Sequence, residues 1–385
     1  MSSPDCSYDP ATDHSDPSVT TSPSATTSPP DLTGPDLAAL GWDADLDASY
    51  ARHAGPDTAP GRVVRVDRGR VHVLTAAGPV LAVPACAEHA GDGGTTLCTG
   101  DWTAVRTHAD GRVTADVRLP RRSVLRRAVA AGTSTGQALA ANADTVALVE
   151  GLVPEPDLSR IERLLVLLWE TGATPLVVLT KADLVPDAGL IAADIAAVAP
   201  GVEVLAVSSA TGAGYAALAP YVAPGRTLAL VGRSGAGKSS LTNRLAGADV
   251  LDTQGIRSDG KGRHTTVRRE LVRVPGGGAV IDTPGLRGAG LWAVEDGVER
   301  VFADVQALAA ACRFADCGHN GEPGCAVAAA LADGTLHERR WESYLKLVRE
   351  AAWIASRTDA RLRAERRREW KVIHKEMRRS GGARP

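Results

Sequence analysis

Aromatic side chains are scarce in this chain of 385 residues: seven Trp, five Tyr and two Phe make up 4% of it. Only Trp102 falls between residues 61 and 120. That leaves little material there for a platform on which nucleic-acid bases could stack. Lysine is also rare, with Lys181, Lys238, Lys261, Lys346, Lys371 and Lys375 the full set. Arg therefore carries nearly all the positive charge. No apolar run approaches the roughly 18–20 residues of a membrane-spanning helix, so no membrane partner is expected. The first residues are polar and acidic, without a basic stretch followed by an apolar one, so no secretory signal peptide is expected. No internal repeat is apparent.

A surplus of either charge is missing too: 43 Lys and Arg stand against 45 Asp and Glu. Spread evenly, that balance would argue against a polyanionic partner. It is not spread evenly. Residues 1–60 hold ten Asp and one Arg, whereas residues 339–385 hold fifteen Lys and Arg and six Asp and Glu. The total hides an acidic head and a basic tail.

What is present is enough apolar material, 44%, for a sizeable core, and enough length for two or three domains. Residues 1–34, rich in Ser, Thr, Pro and Asp, cannot bury enough surface to offset their ordering entropy and read as disordered. Residues 35–60 read as a short docking segment carrying Leu37, Leu40, Trp42 and Leu46. Residues 61–120 show short alternating Val-rich runs punctuated by Gly, the pattern of a small β-barrel of the OB type. From residue 124, apolar strand runs alternate with helical ones, which implies a parallel sheet. From Asp296 onward the pattern is helical, interrupted by a cysteine cluster.

The strongest motif is Gly232-Arg233-Ser234-Gly235-Ala236-Gly237-Lys238-Ser239, followed by Ser240. It matches G-x-x-x-x-G-K-[ST] between an apolar strand run and a helical one. Glycines let backbone N–H groups wrap phosphates, and the helix N-terminus adds a positive dipole end. Lys238 is expected to reach the outer phosphates and Ser239 to ligate Mg²⁺. Asp282-Thr283-Pro284-Gly285 ends another apolar run. Asp282 there suits the Walker-B position, which helps hold the same Mg²⁺, and the N–H of Gly285 can sense the terminal phosphate. Leu286 stands where Ras-type GTPases carry a water-orienting Gln, so intrinsic hydrolysis should be slow.

Thr180-Lys181-Ala182-Asp183 is similar to the guanine-reading N-K-x-D motif, with Thr180 in place of Asn. The Asp183 carboxylate can accept from guanine N1–H and N2, a donor pair that adenine lacks, so GTP and GDP are the expected ligands. Ser208-Ser209-Ala210 follows a further strand run and resembles the second base-contacting loop. Gly262-Arg263-His264-Thr265-Thr266 lies between the phosphate loop and Asp282. A threonine there, Thr265 or Thr266, can close over Mg²⁺, and His264 is a candidate for positioning water. The base motif precedes the phosphate loop, a circular permutation of the usual GTPase order.

Cys312-x4-Cys317-x-His319-x5-Cys325 supplies three thiolates and an imidazole within fourteen residues. This is a closed structural Zn²⁺ set with no open position for catalysis. Cys86 and Cys98 read as small core residues and Cys6 as incidental.

A barrel, a permuted GTPase and a Cys₃His module in this order resemble the family of ribosome small-subunit-dependent GTPases, RsgA. Arg121-Arg122-Ser123, Asn142-Ala143-Asp144 and the motifs above carry the resemblance over residues 60–350. It implies GTP hydrolysis stimulated by the 30S subunit, contact with 16S rRNA, and a role in late 30S maturation with release of assembly factors. It also implies one structural zinc, Mg²⁺ with GTP, and a hydrolytic role for the histidine matching His264. The expected chain is a cytoplasmic monomer of multidomain α/β class. Its parts are the acidic extension 1–34, docking segment 35–60, OB-type barrel 61–120, permuted GTPase 121–295, zinc-binding helical domain 296–350 and basic helical tail 351–385. A P-loop ATPase or kinase would leave Asp183 and the cysteine cluster unexplained. An RNA-binding scaffold would keep only a weak nucleotide site. A large-subunit assembly GTPase of the permuted class would leave the barrel and the cysteine cluster without a purpose.

Overall fold

The computed structural model describes residues 36–85, 96–127, 136–251, 269–283 and 295–358. The acidic extension 1–34, Cys86, residues 262–266, Pro284, Gly285, Leu286 and the tail from residue 359 lie outside the described residues.

A short 3₁₀ turn at Ala38–Leu40 leads into α1 (Ala44–Ala51), which is capped by the Asp43 carboxylate accepting from the backbone of Asp45 and Leu46. Leu37, Leu40 and Leu46 are buried, and Trp42 meets Trp102 edge-on at 5.0 Å. Next come β1 (Thr58–Asp67), β2 (Arg70–Thr75), β3 (Gly78–Pro84), β4 (Trp102–Thr107) and β5 (Val113–Arg118). The first strand starts at Thr58, ahead of the residue 61 expected for the barrel. Their order is β1-β2-β3-β5-β4, and β4 pairs back onto β1. Closure between β4 and the first half of β1, Thr58 to Arg62, yields a five-stranded OB-like barrel and leaves the second half of β1 open on that side. Val63, Val71, Val73, Ala82, Val105 and Ala115 fill it, as alternation demands of strands with one face inward.

An antiparallel hairpin, β6 (Val124–Arg127) and β7 (Gln137–Ala141), follows where the sequence pattern already read as α/β. The α/β sheet begins at β8 (Thr145–Gly151), every residue of which is buried. After it run α2 (Leu158–Trp169), β9 (Thr174–Thr180), α3 (Ala188–Ala197), β10 (Glu203–Ala206), β11 (Thr227–Val231), α4 (Lys238–Ala246), β12 (Glu270–Arg273) and β13 (Ala279–Asp282). The spatial order is β10-β9-β8-β11-β13-β12, parallel except for β12. Leu176, Val178, Leu228, Leu230, Leu241 and Val280 form its core. Burial of every residue of β8 and β11 accounts for strands that read as unbroken apolar runs.

Barrel and α/β sheet are joined edge to edge, since β12 pairs β1 at Arg65–Glu270 and makes one sheet of eleven strands. Arg62 of β1 pins the junction. It is 1% exposed and donates to Thr227 Oγ1 at 2.8 Å, to the Asn142 carbonyl at 2.9 Å and to the Leu40 carbonyl. Its guanidinium lies 5.2 Å from the centre of the Trp102 ring, and burial lowers its pKa to about 10.

The C-terminal part is helical: α5 (Glu295–Val301), α6 (Ala303–Ala310), α7 (Ala326–Ala332) and α8 (Glu338–Thr358). It is held to the α/β sheet through α2. Glu162, fully buried, takes Arg339 at 3.0 Å and Arg340 at 2.9 Å. Arg340 also bonds Asp304 at 2.6 Å and the Val301 carbonyl at 2.8 Å, and Arg163 pairs with Glu350. No described helix is long and apolar enough to cross a membrane.

Candidate functional site

The phosphate loop leaves β11 at Val231 and enters α4 at Lys238. Gly232 and Gly237 hold φ of 152° and 91°, values that side chains resist. A Cβ on Gly232 would stand 2.1 Å from the Val149 carbonyl oxygen, so the loop is pressed against β8 and only glycine fits. Arg233, Ser234 and Gly235 form the exposed crown, with Ala236 buried behind them and Ser240 half-buried on the helix. Lys238 is 8% exposed, and its ammonium donates to the carbonyls of Gly232 at 3.0 Å and Arg233 at 2.9 Å. Burial lowers its pKa, while the charges of Asp282 and Glu150 oppose that shift.

Asp282 ends β13, next to β11 in the sheet. The Ser239 hydroxyl donates to its Oδ2 at 3.1 Å, and its Oδ1 is buried without a hydrogen-bond partner. Burial raises the Asp282 pKa against the pull of Lys238 and Ser239. A hydroxyl and a carboxylate side by side are the hard oxygen donors Mg²⁺ prefers, and an orphaned carboxylate oxygen is what a metal-bound water would satisfy. These residues fit the ion. The neighbouring Thr283 hydroxyl donates to the Leu230 carbonyl at 2.6 Å, locking this strand end to the one that carries the phosphate loop.

The base-reading motif sits at the end of β9, on the same edge of the sheet. Thr180 is 2% exposed, and its hydroxyl donates to the Ala236 carbonyl at 2.5 Å. A threonine here still bridges to the phosphate loop, although its side chain is shorter than an Asn amide and would be expected to lose the bridging bonds. Lys181 takes a left-handed φ of 61°, and its ammonium donates to the Val153 carbonyl at 3.2 Å. The Ala182 N–H donates to the Val207 carbonyl at 3.1 Å. Asp183 is exposed and accepts from the Ser208 hydroxyl, so the second loop orients the carboxylate of the first. The hydroxyls of Ser209 and Tyr215 lie 2.7 Å apart, Arg244 of α4 donates to the Ser209 carbonyl at 2.9 Å, and Ala210 is exposed beside them.

The sheet thus gathers Gly232–Ser239, Thr180–Asp183, Ser208–Ala210 and Asp282 on one edge, in spite of their permuted chain order. The other nominated residues, His264, Thr265, Thr266 and Gly285, lie outside the described residues.

One group at this edge has no motif to announce it. Glu150, near the end of β8, is 5% exposed. Arg160 of α2 donates to its Oε1 at 2.7 Å, and its Oε2 is buried without a partner. Burial raises its pKa, and the charges of Arg160 and Arg233 oppose the rise. The only signal in the sequence is a lone Glu closing the apolar run Val146-Ala147-Leu148-Val149.

The Cys₃His set converges as its spacing implied. The ligand atoms of Cys312, Cys317, His319 and Cys325 all lie within 4.8 Å of one another. His319 Nδ1 is 3.5 Å from Cys312 Sγ and 3.6 Å from Cys325 Sγ, and the two sulfurs are 3.9 Å apart. Tetrahedral Zn²⁺ with Zn–S of about 2.3 Å and Zn–N of about 2.0 Å would need edges near these values. The donor set therefore fits zinc. His319 holds a left-handed φ of 60° and packs edge-on against Trp341 of α8 at 5.6 Å.

The model of the RsgA GTPase family matches residues 118–292. Small ribosomal subunit biogenesis GTPase RsgA of Streptomyces avermitilis is 52% identical over 340 residues, covering 87% of this chain and 91% of that one. The protein of the same name from Opitutus terrae is 43% identical, covering 89% and 97%. Among solved structures, YjeQ from Thermotoga maritima is similar with a TM-score of 0.54 and 25% identity, covering 76% of this chain and 98% of that one. The circularly permuted GTPase YloQ shares the fold with a TM-score of 0.54 at 23% identity, covering 78% and 96%.

Proposed function

Given that this chain belongs to the RsgA family of small ribosomal subunit biogenesis GTPases, we propose that it binds GTP along the sheet edge described above and hydrolyses it on the 30S subunit. The observation that carries this reading is the convergence on one edge of Lys238, just after β11, Asp183, just after β9, and Asp282, the last residue of β13. A cation for phosphates, a carboxylate for guanine and a carboxylate for Mg²⁺ are the three functions GTP chemistry requires of a protein.

The exposed crown Arg233–Gly235 offers backbone N–H groups to the phosphates, and Lys238 leaves its own loop carbonyls to reach the outer ones. Asp183, held by Ser208, takes the guanine donor pair, and the Lys181 stem covers the base. Ser239 and Asp282 would hold the Mg²⁺, which when bound would supply positive charge for the phosphates. Thr265 or Thr266 is assigned to close over the Mg²⁺, and the Gly285 N–H to the terminal phosphate. Leu286 has no polar atom to orient water, so His264 or the ribosome is assigned that role.

Zinc at Cys312, Cys317, His319 and Cys325 is assigned a structural role, since four protein ligands leave no open position. The target is the 16S rRNA of the subunit, reached by the basic tail, in late maturation that ends with release of assembly factors. The chain is assigned to the cytoplasm, where its substrate and its target meet, and is taken to act as a monomer. The decisive measurement is phosphate release with and without purified 30S subunits. A large stimulation is expected, and an unchanged rate would reject the reading.

A further inference from the structure

Glu150 and Arg160 pose a problem that the GTPase reading alone does not resolve. A carboxylate near a phosphate-binding loop works against the ligand. Yet Glu150 is buried within electrostatic reach of both Lys238 and Arg233. Its strand residue is also close to the loop through the backbone. The Thr180 hydroxyl that donates to Ala236 lies 3.4 Å from the Glu150 carbonyl oxygen. Arg160 compensates the charge from the first turn of α2, but through a single bond, Nη2 to Oε1 at 2.7 Å. The pair is left incomplete on both sides. Glu150 Oε2 and Arg160 Nε are each buried without a hydrogen-bond partner. A pair serving only stability would be expected to close as a two-bond fork, because each unmet buried polar atom costs free energy.

The geometry points to Glu150 and Arg160 as a charge pair that sets nucleotide affinity from the strand against which the phosphate loop is pressed, with Glu150 weakening the hold on phosphates and Arg160 offsetting it. Neither side chain needs to touch the nucleotide. Both are positioning residues, acting through the field at Lys238 and Arg233. For a GTPase that must release GDP on each turnover, a built-in negative charge keeps the phosphate site from retaining its product. The inference rests on the reading that the loop binds GTP and GDP.

The test is equilibrium titration of the full-length protein with a fluorescent GDP analogue and Mg²⁺, alongside steady-state GTPase rates. Wild-type protein is measured first, and absence of binding there would reject the GTPase reading rather than this one. Glu150→Gln keeps the shape and removes the charge, leaving Arg160 with only the half-exposed Asp157, 3.6 Å away, as counter-charge. It is expected to bind GDP about fivefold to tenfold more tightly, with a slower off-rate. Arg160→Met removes the offsetting cation and is expected to weaken binding by a similar factor. The double variant is expected to return near wild type. Opposite signs are the signature of a field effect, because a merely structural pair would lose affinity from either side. Shifts of the same sign, or no shift in Glu150→Gln, would overturn the proposal. Should Arg160→Met fail to fold, the isosteric Glu150→Gln decides alone, with tighter GDP supporting the proposal and unchanged or weaker GDP rejecting it.

Discussion

The Thr180 hydroxyl donates to the Ala236 carbonyl at 2.5 Å, so the first residue of the base-reading motif is also a strut of the phosphate loop. Strands β9 and β11 do not touch in the sheet, because β8 lies between them. The bond spans that gap and couples the two halves of the nucleotide site. Thr180→Ala should leave the buried Ala236 carbonyl unpaired, at a cost of about 1–3 kcal/mol. Chemical denaturation should show that loss, and GDP titration should show weaker binding. Thr180→Ser, which keeps the hydroxyl, should recover most of both.

Asp183 sets base identity. Asp183→Asn replaces one acceptor oxygen by an amide that donates. Guanine offers donors at N1 and N2, whereas xanthine has a carbonyl at the second position. The variant should lose GTP affinity by about 1–3 kcal/mol per charged hydrogen bond given up and gain affinity for xanthosine triphosphate. Competition between the two nucleotides measures the exchange. Retained GTP preference would remove Asp183 from the base site.

Glu162 is the anchor between α2 and the C-terminal helices. It is fully buried and neutralises both Arg339 and Arg340. Glu162→Gln should destabilise the protein by about 3–5 kcal/mol, because it leaves Arg340 buried with only Asp304 as counter-charge. A denaturant titration of the variant reads this directly. Changing Glu162 and Arg340 together to apolar residues should cost less than Glu162→Gln alone.

The Cys₃His cluster should bind one Zn²⁺ per chain by elemental analysis. Cys317→Ser should lower the metal content and loosen the turn between α6 and α7, since binding free energy at such sites is folding free energy. Limited proteolysis should then cut within residues 312–325. The α/β sheet has its own core and should keep binding GDP.

Fifteen Lys and Arg after residue 338 predict that affinity for 30S subunits falls steeply between 50 and about 200 mM salt. Truncation after residue 358 should flatten that slope. An unchanged slope would place the ionic contacts elsewhere on the chain.

Short segments carry much of this protein's logic, and those are legible without coordinates. The phosphate loop, the T-K-x-D motif and the cysteine spacing each lie within a few residues, so local backbone geometry alone decides what they can bind. Apolar runs reveal the strands of the parallel sheet, because a strand covered on both faces has no polar side to show. Glu150 stays hidden for a related reason: one acid in an apolar run has no pattern, and its meaning depends on Arg160 and on a loop more than eighty residues later in the chain.

By itself, then, the sequence determined which chemistry is available: phosphate, guanine, Mg²⁺ and zinc ligands, each in its own short stretch. Tertiary structure decided how those stretches meet. It placed β11 beside β8 so that permuted motifs share one edge, and it paired β12 with β1 to fuse barrel and sheet. It also set Arg62 against Thr227 and Glu162 against Arg340, 165 and 178 residues apart. Contacts at such separations are chosen by the packing of the whole core and the need to satisfy every buried charge, and no local periodicity encodes that choice.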